Sequence, residues 1–284
     1  MEGSSTQVRG LLSSFGLRAK KSLGQHFLID RQVLCCIVSA AELTSQDTVV
    51  EVGAGLGVLT KELARQAGRV IAIETDSRLA SALGEVVAKV ANINVISSDV
   101  LQTDPAVLLS GIEGGDYKVV ANIPYYITSP ILRHFLEASL KPRLMVVMVQ
   151  KEVGEAIVAQ PGQMSLLAIS VQFYGKPVIV DHVPARSFYP SPKVDSVILK
   201  IRLYDQPPVS VPETGRFFAV VRAGFSAPRK QLRNSLAQGL DLLPQQSANL
   251  LQRAEIDPKR RAETLNLHEW ARICEVISNH GSIG

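Results

Sequence analysis

The chain has 284 residues, which suggests about two domains of ordinary size. Apolar residues make up 46% of it and charged residues 20%, a composition that excludes global disorder and a collagen-like fibre. Thirty basic against 26 acidic residues give a formal net charge of +4, which is compatible with a polyanionic partner but does not require one.

Cysteine usage and the lack of targeting signals favour a cytoplasmic protein. The three cysteines, Cys35, Cys36 and Cys274, form no CxxC pair, so a zinc ribbon and a thioredoxin-type site are excluded. An odd count with two adjacent thiols is typical of reduced, structural cysteines. The first ten residues lack the apolar region of a signal peptide, and the longest apolar runs, such as 144–149, are too short to cross a bilayer.

Helices and strands alternate through the first half of the chain. Residues 1–22 are predicted to be a polar, flexible lead-in, and Asp30 is the predicted N-cap of the helix that follows. Asp76 would cap a later helix, and Ser129 with Pro130 would open another. Five short apolar runs are predicted to be strands: 48–53, 69–74, 93–99, 117–123 and 143–149.

The predicted strands are continuous runs of Val, Ile, Leu and Met rather than alternating apolar and polar residues. This pattern is typical of strands that are covered by helices on both faces. Together with the alternating order, it predicts an α/β fold with a parallel, doubly wound sheet. In such sheets ligands bind at the carboxyl ends of the strands, so the residues that follow each strand are the first candidates for a site.

The pattern changes after about residue 150. A helical stretch at 151–159 precedes two β-like runs, 165–174 and 194–204. Prolines at 207, 208 and 212 indicate a linker, and the remainder has the pattern of helices. The predicted division is a lead-in at 1–22, an α/β domain at 23–206, and a smaller, mainly helical C-terminal domain at 213–284.

A glycine-rich turn follows the first predicted strand. The segment Glu51–Gly57, EVGAGLG, ends that strand and opens a helix, and its Gly53 and Gly55 would let the backbone approach a ligand closely. The segment is not the dinucleotide fingerprint GxGxxG, because position 58 is Val. On this motif alone, a tight turn without a ligand remains an alternative.

Acidic residues end the next two strands. Glu74 ends the second strand, where a carboxylate can accept hydrogen bonds from both hydroxyls of a ribose. Asp99 ends the third strand, where it can accept a hydrogen bond from an adenine amino group. Each acid alone could be a solvated strand-end residue. Because the turn and both acids lie at successive strand ends, together they predict a site for a nucleoside-bearing cofactor that has no pyrophosphate.

The fourth strand ends in Asn122-Ile-Pro124-Tyr125, which suits the chemistry of an exocyclic adenine amine. Such an amine is a poor nucleophile because its lone pair is delocalised into the ring. The Asn122 side-chain oxygen and the backbone carbonyl next to Pro124 can each accept one N–H, which directs the lone pair out of the ring plane. Tyr125 can stack on the base. The alternative is a proline-containing turn with a packed aromatic residue.

At these residues the sequence resembles the ribosomal RNA adenine N6-dimethyltransferase family, which uses S-adenosylmethionine. The resemblance extends from about residue 20 to residue 270 and includes LGQHFL (23–28) and FYPSPKVDS (188–196). It implies a Rossmann-like class I S-adenosylmethionine-dependent methyltransferase. The implied reaction is the dimethylation of two adjacent adenosines in the 3′-terminal hairpin of 16S ribosomal RNA during ribosome biogenesis.

The resemblance also implies roles for individual residues. Asn122 and Pro124 would hold the target amine, and Tyr125 and Phe188 would flank the flipped adenine. The small ribosomal subunit is then the expected partner and a monomer the expected state. No metal is expected, since the five histidines show neither HxxxH nor HExxH spacing. The residues that would contact the cofactor are His26, Leu28, Gly53, Gly55, Glu74, Asp99 and Asn122.

Basic residues are in excess in the predicted C-terminal domain. They are candidates for positioning RNA phosphates, with a solvated helix face as the alternative. Two further functions remain open. The macrolide-resistance methyltransferases share the NIPY-type motif but modify large-subunit RNA, and a ribosome-assembly checkpoint factor could use methylation only secondarily. The two basic clusters are Arg229-Lys230 with Arg233, and Lys259-Arg260-Arg261.

Overall fold

The computed structural model describes residues 5–20, 24–110 and 116–279. None of the helices in these ranges is both long and apolar enough to span a membrane. Of the predicted lead-in, residues 1–4 and 21–22 lie outside the described part of the chain, and so do residues 280–284 of the predicted C-terminal domain.

The chain divides into two compact units. The sheet unit consists of Met1–Gly154 and Pro177–Leu203, and the helical unit consists of Glu155–Lys176 and Tyr204–Gly284. The largest difference between this division and the predicted ranges concerns one segment. Residues 155–176, which were expected in the α/β domain, belong to the helical unit.

One mixed sheet of seven strands forms the sheet unit. The strands in the described residues are β1 (Phe27–Leu28), β2 (Thr48–Val52), β3 (Arg69–Glu74), β4 (Ile93–Ser97), β5 (Tyr117–Asn122), β6 (Leu144–Gln150), β7 (Gly175–Val183), β8 (Phe188–Tyr189) and β9 (Ser196–Leu203). The sheet has the order β4-β3-β2-β5-β6-β9-β7, and β1 pairs separately with β8. Strands β2 to β6 run parallel, and β9 is antiparallel to β6. All five predicted strands are confirmed.

Helices connect the parallel strands. Asp30 and Asp76 cap α2 (Arg31–Ala40) and α4 (Ser77–Val87) as predicted, each accepting a hydrogen bond from a backbone N–H of the first turn. The predicted start of α6 (Thr128–Glu137) is wrong, because this helix begins at Thr128, which leaves Ser129 inside its first turn. The helices are α1 (Ser5–Ser14), α2 (Arg31–Ala40), α3 (Val58–Ala64), α4 (Ser77–Val87), α5 (Pro105–Leu108), α6 (Thr128–Glu137), α7 (Lys151–Ile157), α8 (Leu166–Tyr174), α9 (Thr214–Gly224), α10 (Leu232–Gly239), α11 (Pro244–Arg253) and α12 (Leu267–Ser278).

The lead-in contains a packed helix, which corrects the prediction for its central part. Val8 and Leu12 of α1 are buried in a cluster with Phe27, Leu56 and Leu79. The spacing of four residues between Val8 and Leu12 places both side chains on one face of the helix. The apolar residues of this face are few, and the polar residues around them conceal the pattern in the sequence.

The segment 165–174 is a helix and not the predicted β-like run. α8 begins after Ser165, whose hydroxyl accepts a hydrogen bond from the Ala168 N–H. Its Ile169 and Phe173 are fully buried in the core of the helical unit. A short run that is apolar on every side shows neither helical nor strand periodicity, so the sequence does not distinguish the two.

Helices α9 to α12 pack around an aromatic core in the helical unit. Trp270 and Phe217 are fully buried there. α12 begins with a capping box, in which the Asn266 side chain accepts a hydrogen bond from the Glu269 N–H and the Glu269 side chain accepts one from the Asn266 N–H, both at 2.9 Å. The prediction of helices beyond residue 213 is confirmed over Thr214–Ser278.

Candidate active site

A cavity of about 700 Å³ opens at the carboxyl ends of the parallel strands in the sheet unit. Its lining comes from the turns that follow β2, β3, β4 and β5, and from the segment around β1. This is the edge of a doubly wound sheet at which ligands bind. Nine of the predicted site residues line it: His26, Leu28, Gly53, Gly55, Glu74, Asp99, Asn122, Pro124 and Tyr125.

The glycine-rich turn after β2 depends on left-handed backbone conformations. Gly53, Gly55 and Gly57 have φ values of 74°, 56° and 77°. A Cβ at Gly57 would also lie 2.5 Å from Leu83 Cδ1, so the turn packs tightly against α4. At Gly53 a Cβ would meet no atom closer than the Asn122 carbonyl oxygen at 3.6 Å. The turn therefore lies next to the end of β5, and its glycines line the cavity with backbone atoms alone.

Glu74 connects the glycine turn to the end of β3. Its Oε2 accepts a hydrogen bond from the Gly55 N–H at 2.9 Å, and its Oε1 accepts one from the Asp76 N–H at 3.0 Å. Burial raises the pKa of this carboxyl, and the two hydrogen bonds oppose that effect. Each carboxylate oxygen can accept a second hydrogen bond. The side chain is thus fixed in place and keeps acceptor capacity for a hydroxyl donor.

Asp99 is held by the turn that it caps. Its Oδ1 accepts a hydrogen bond from the Leu101 N–H at 3.0 Å, and its Oδ2 accepts one from Gln102 Nε2 at 3.2 Å. The residue is half-buried and lines the cavity. Like Glu74, it is a positioned carboxylate at the end of a parallel strand.

Glu51 is a cavity residue to which the sequence analysis assigned no role. Only 2% of its surface is exposed, and its Oε2 has no hydrogen-bond partner among the described residues. Burial, with a smaller contribution from the nearby Glu74 carboxylate, raises its pKa to about 8. Its position at the start of the EVGAGLG motif, directly before the glycines, is the signal from which it could have been found.

Asn122 is oriented by the N-terminal segment. Its Nδ2 donates a hydrogen bond to the His26 backbone carbonyl at 3.0 Å, which places Oδ1 at the opposite side of the amide as an acceptor. The His26 ring nitrogen Nδ1 lies 2.6 Å from the Pro190 carbonyl, so this nitrogen carries the proton and donates. The His26 ring stacks on that of Tyr125, with 6.0 Å between centroids and an interplanar angle of 21°.

Tyr125 is anchored at its hydroxyl. This hydroxyl and the fully buried Ser196 Oγ lie 2.6 Å apart and form a hydrogen bond. Burial is the main cause that raises the pKa of the Tyr125 phenol, so the ring is neutral at physiological pH. An aromatic ring that is fixed at its far end is suited to receive a base on its face.

Phe188 does not line the cavity in this structure, and its place beside the target adenine stays a prediction. Phe188 is 2% exposed and packs in a core cluster with Leu28, Val33 and Ile37. Its strand β8 pairs with β1 in a register that places Phe188 opposite Leu28. A ring enclosed in this core has no open face for a base, so in this structure Phe188 supports β1 instead.

The two basic clusters of the helical unit lie side by side. The Leu232 N–H donates to the Arg260 carbonyl at 2.7 Å, and the Arg233 N–H donates to the Pro258 carbonyl at 3.3 Å. These hydrogen bonds join the start of α10 to the loop before α12. We call the exposed residues at this junction the basic surface: Arg229, Lys230, Lys259 and Arg261.

Arg260 differs from the other basic residues because its guanidinium is hydrogen-bonded within the protein, and its contact with RNA stays a prediction. Both its terminal nitrogens bond to the carboxylate of Glu269, and its guanidinium also donates to the hydroxyl and the carbonyl of Thr264. Glu269 is the residue that closes the capping box of α12. Arg260 therefore stabilises the loop that presents its exposed neighbours.

No group of three or more His, Cys, Asp or Glu side chains that could hold a metal ion occurs within residues 5–20, 24–110 and 116–279. The cavity carboxylates of Glu74 and Asp99 accept hydrogen bonds from backbone N–H groups.

Comparisons with known proteins agree with this arrangement. Residues 16–279 match the sequence profile of the family described as Ribosomal RNA adenine dimethylase. The chain is 50% identical over 274 residues to a Ribosomal RNA small subunit methyltransferase A of Dehalococcoides mccartyi, covering 96% of this chain and 94% of the relative. It is 42% identical to a protein of the same name from Bacillus mycoides, covering 96% of each.

Solved structures show the same fold. The 23S rRNA methyltransferase ErmE is 28% identical with a TM-score of 0.70, over 89% of this chain and 99% of that one. A dimethyladenosine transferase from Plasmodium falciparum is 25% identical with a TM-score of 0.75, over 89% and 98%. The fold is that of a class I methyltransferase, as predicted. On the match over most of its length, the chain belongs to the ribosomal RNA adenine dimethylase family.

Proposed function

We propose that this chain transfers methyl groups from S-adenosylmethionine to the N6 amines of two adjacent adenosines in the 3′-terminal hairpin of 16S ribosomal RNA. The product would be dimethyladenosine, formed in the cytoplasm by a monomer during ribosome biogenesis. The observation that carries the proposal is the single cavity in which Asn122 and Tyr125 lie next to the turn of Gly53 and Gly55. In a ribosomal RNA adenine dimethylase, a cofactor and a base would meet there.

The cavity suits S-adenosylmethionine in size and in chemistry. A volume of about 700 Å³ lies within the range of cofactor-sized pockets. The buried Glu51 carboxyl, with its unpartnered Oε2, would offer a hydrogen-bonding group to a polar part of this cofactor. We further propose that Glu74 binds the ribose and Asp99 the adenine ring. The residues that would face the methionine part or close over the cofactor are Gly53, Gly55, His26 and Leu28.

When bound, the cofactor supplies an electrophilic methyl group. The chain's own part is to hold the amine in line with it. Asn122 Oδ1 would accept one N–H of the target amine, and the backbone carbonyl before Pro124 would accept the other. Tyr125 would stack on the base and keep it out of the helix. Holding reactants in such a geometry is itself a large contribution to rate.

The small subunit is the substrate that the relatives favour. Proteins named for the small subunit are 42–50% identical to this chain over nearly all of its length, whereas the 23S rRNA methyltransferase is 28% identical. The exposed residues of the basic surface support binding to an RNA backbone, because lysine and arginine side chains neutralise phosphates. We propose that these residues position the RNA and that Arg233 assists them.

A methyl-transfer assay tests the proposal. Immature small subunits, large subunits and naked ribosomal RNA would be incubated with labelled S-adenosylmethionine, and the product nucleosides identified by mass spectrometry. We expect dimethyladenosine in small-subunit RNA. Asn122→Ala should lower kcat by about 100-fold or more, the scale of losing one preorganised contact to the reacting group, with little change in cofactor affinity.

Asn94→Ala is a matched control, because Asn94 is exposed on β4 and does not line the cavity. It should transfer methyl groups at the wild-type rate. Label found only in large-subunit RNA would contradict the proposed substrate. Tight binding to subunits without any transfer would instead favour a ribosome-assembly factor.

A further inference from the structure

Two consecutive tyrosines end the turn after β5, and their surroundings differ. Tyr125 is half-buried, with its hydroxyl bonded to Ser196 and its ring stacked on His26. Tyr126 is 63% exposed, although it lines the same cavity. The reaction proposed above gives Tyr125 a role and leaves Tyr126 without one.

One edge of the exposed Tyr126 ring packs against the N-terminal segment. A Cβ on Gly24 would lie 3.3 Å from Tyr126 Cε1, 3.4 Å from its Cδ1 and 3.3 Å from Pro124 Cβ. The Gly24 backbone, with a left-handed φ of 62°, therefore packs close to the ring edge. A positioned aromatic ring with open surface is the feature that single-stranded nucleic-acid sites use to stack bases.

We propose that Tyr126 stacks on the base adjacent to the flipped adenosine. The inference rests on the proposed function and names a further part of its substrate contact. Flipping one nucleotide removes it from the stack and leaves its neighbour with an uncovered face. Because Tyr126 directly follows the residue that would hold the flipped base, its ring is placed to cover that face. In a substrate with two adjacent adenosines, Tyr126 would hold one while the other is methylated.

Charges at the same cavity suit an RNA strand. Lys20 and Arg78 both line it, with 40% and 59% of their side chains exposed. Both contact Asp76, at 2.7 Å from Lys20 Nζ and 3.6 Å from Arg78 Nε. Both cations keep exposed surface that a phosphate could contact, while the acidic Glu74, Asp76 and Asp99 line the same cavity.

The test compares Tyr126 variants on two substrates. Small subunits would be reconstituted with 16S RNA that carries, next to the target adenosine, either a normal adenosine or an abasic site. On the normal substrate Tyr126→Ala and Tyr126→Leu should raise KM for the subunit by about 5- to 100-fold, the range for one stacked base, with kcat and the KM for cofactor unchanged. Tyr126→Phe keeps the ring and should stay within about twofold of wild type.

On the abasic substrate the wild type and Tyr126→Ala should have equal KM values, because no base is present to stack. Tyr204→Ala is the control for removing an exposed tyrosine, since Tyr204 is 39% exposed in the helical unit and does not line the cavity. The inference is overturned if Tyr126→Ala leaves KM unchanged on the normal substrate, or if it raises KM equally on both substrates.

Failure of the proposed function would look different. In that case the wild type would form no dimethyladenosine in any subunit. The wild type and Tyr126→Ala would then each be compared on subunits with normal and with abasic RNA, by equilibrium binding of the fluorescently labelled subunits. A loss of affinity in Tyr126→Ala that is confined to the normal RNA would still support stacking, and equal affinities would refute it.

Discussion

Replacing Glu51 by Gln should change how the stability of this protein depends on pH. Glu51 is the next-to-last residue of β2 and has 2% of its surface exposed, and burial is the main cause that raises its pKa from the ordinary 4.5 to about 8. Between these two values the folded protein keeps the proton, whereas the unfolded chain has lost it. Folding in this range therefore takes up a proton at Glu51.

The direction of the effect follows from proton linkage. Below pH 4.5 the carboxyl is protonated in both the folded and the unfolded state, so the contribution of Glu51 to the free energy of unfolding is fully present. It declines as the pH rises and is lost once the pH passes the folded pKa of about 8. Since one pKa unit corresponds to about 1.4 kcal/mol, the free energy of unfolding should fall by about 5 kcal/mol across this range. That is a large part of the roughly 5–15 kcal/mol that stabilises a typical protein.

Urea unfolding of the cofactor-free protein at several pH values between 5 and 8, followed by circular dichroism, measures this change. The wild type contains the titrating carboxyl and Glu51→Gln does not, whereas all other titratable groups are common to both. The difference between their free energies of unfolding should therefore shift against the wild type by about 1.4 kcal/mol per pH unit. A difference that is constant with pH, or that shifts towards the wild type, would refute the reasoning.

Two further predictions concern the turn and the basic surface. Gly57→Ala adds a Cβ 2.5 Å from Leu83 Cδ1 at a left-handed position, so it should lower the free energy of unfolding by about 1–3 kcal/mol. At Gly84 an added Cβ would meet no atom within 4 Å, so Gly84→Ala is the control and should be neutral or slightly stabilising. Urea unfolding measures both variants. Arg260→Gln should lower the melting temperature with little direct effect on RNA contacts. Lys259→Gln should keep the melting temperature and reduce the salt dependence of RNA binding. Equal effects of the two variants would contradict the assignment of a structural role to Arg260 and an RNA-binding role to Lys259.

The strands and the cavity-lining motifs were predictable because their signals are local. A buried parallel strand is a continuous apolar run, and a doubly wound sheet brings the residues after each strand to one edge. Gly53, Glu74, Asp99 and Asn122 all follow such runs, so the topology alone predicts that they line one cavity. The helix α8 was not predictable in the same way, since its core-facing sequence has no period that distinguishes it from a strand.

Contacts between distant segments account for what the sequence did not show. Phe188 is buried because β8 pairs with β1 in a register that places Phe188 opposite Leu28. These two residues are 160 positions apart in the chain. The different roles of Arg260 and Lys259 depend on which of the two side chains reaches Glu269. Adjacent basic residues look alike in a sequence, and only the packing of α12 distinguishes a structural arginine from an exposed lysine.

In the proposed mechanism, the N-terminal segment orients the Asn122 amide as well as lining the cavity. The amide of Asn122 is turned by the backbone carbonyl of His26, so its acceptor oxygen faces a target amine only while β1 is in place. β1 is in turn held by β8 and by α1, whose buried Val8 and Leu12 pack in one cluster with Phe27. Since these contacts connect α1 to Asn122, we expect a chain that lacks α1 to lose catalytic rate before it loses the central sheet.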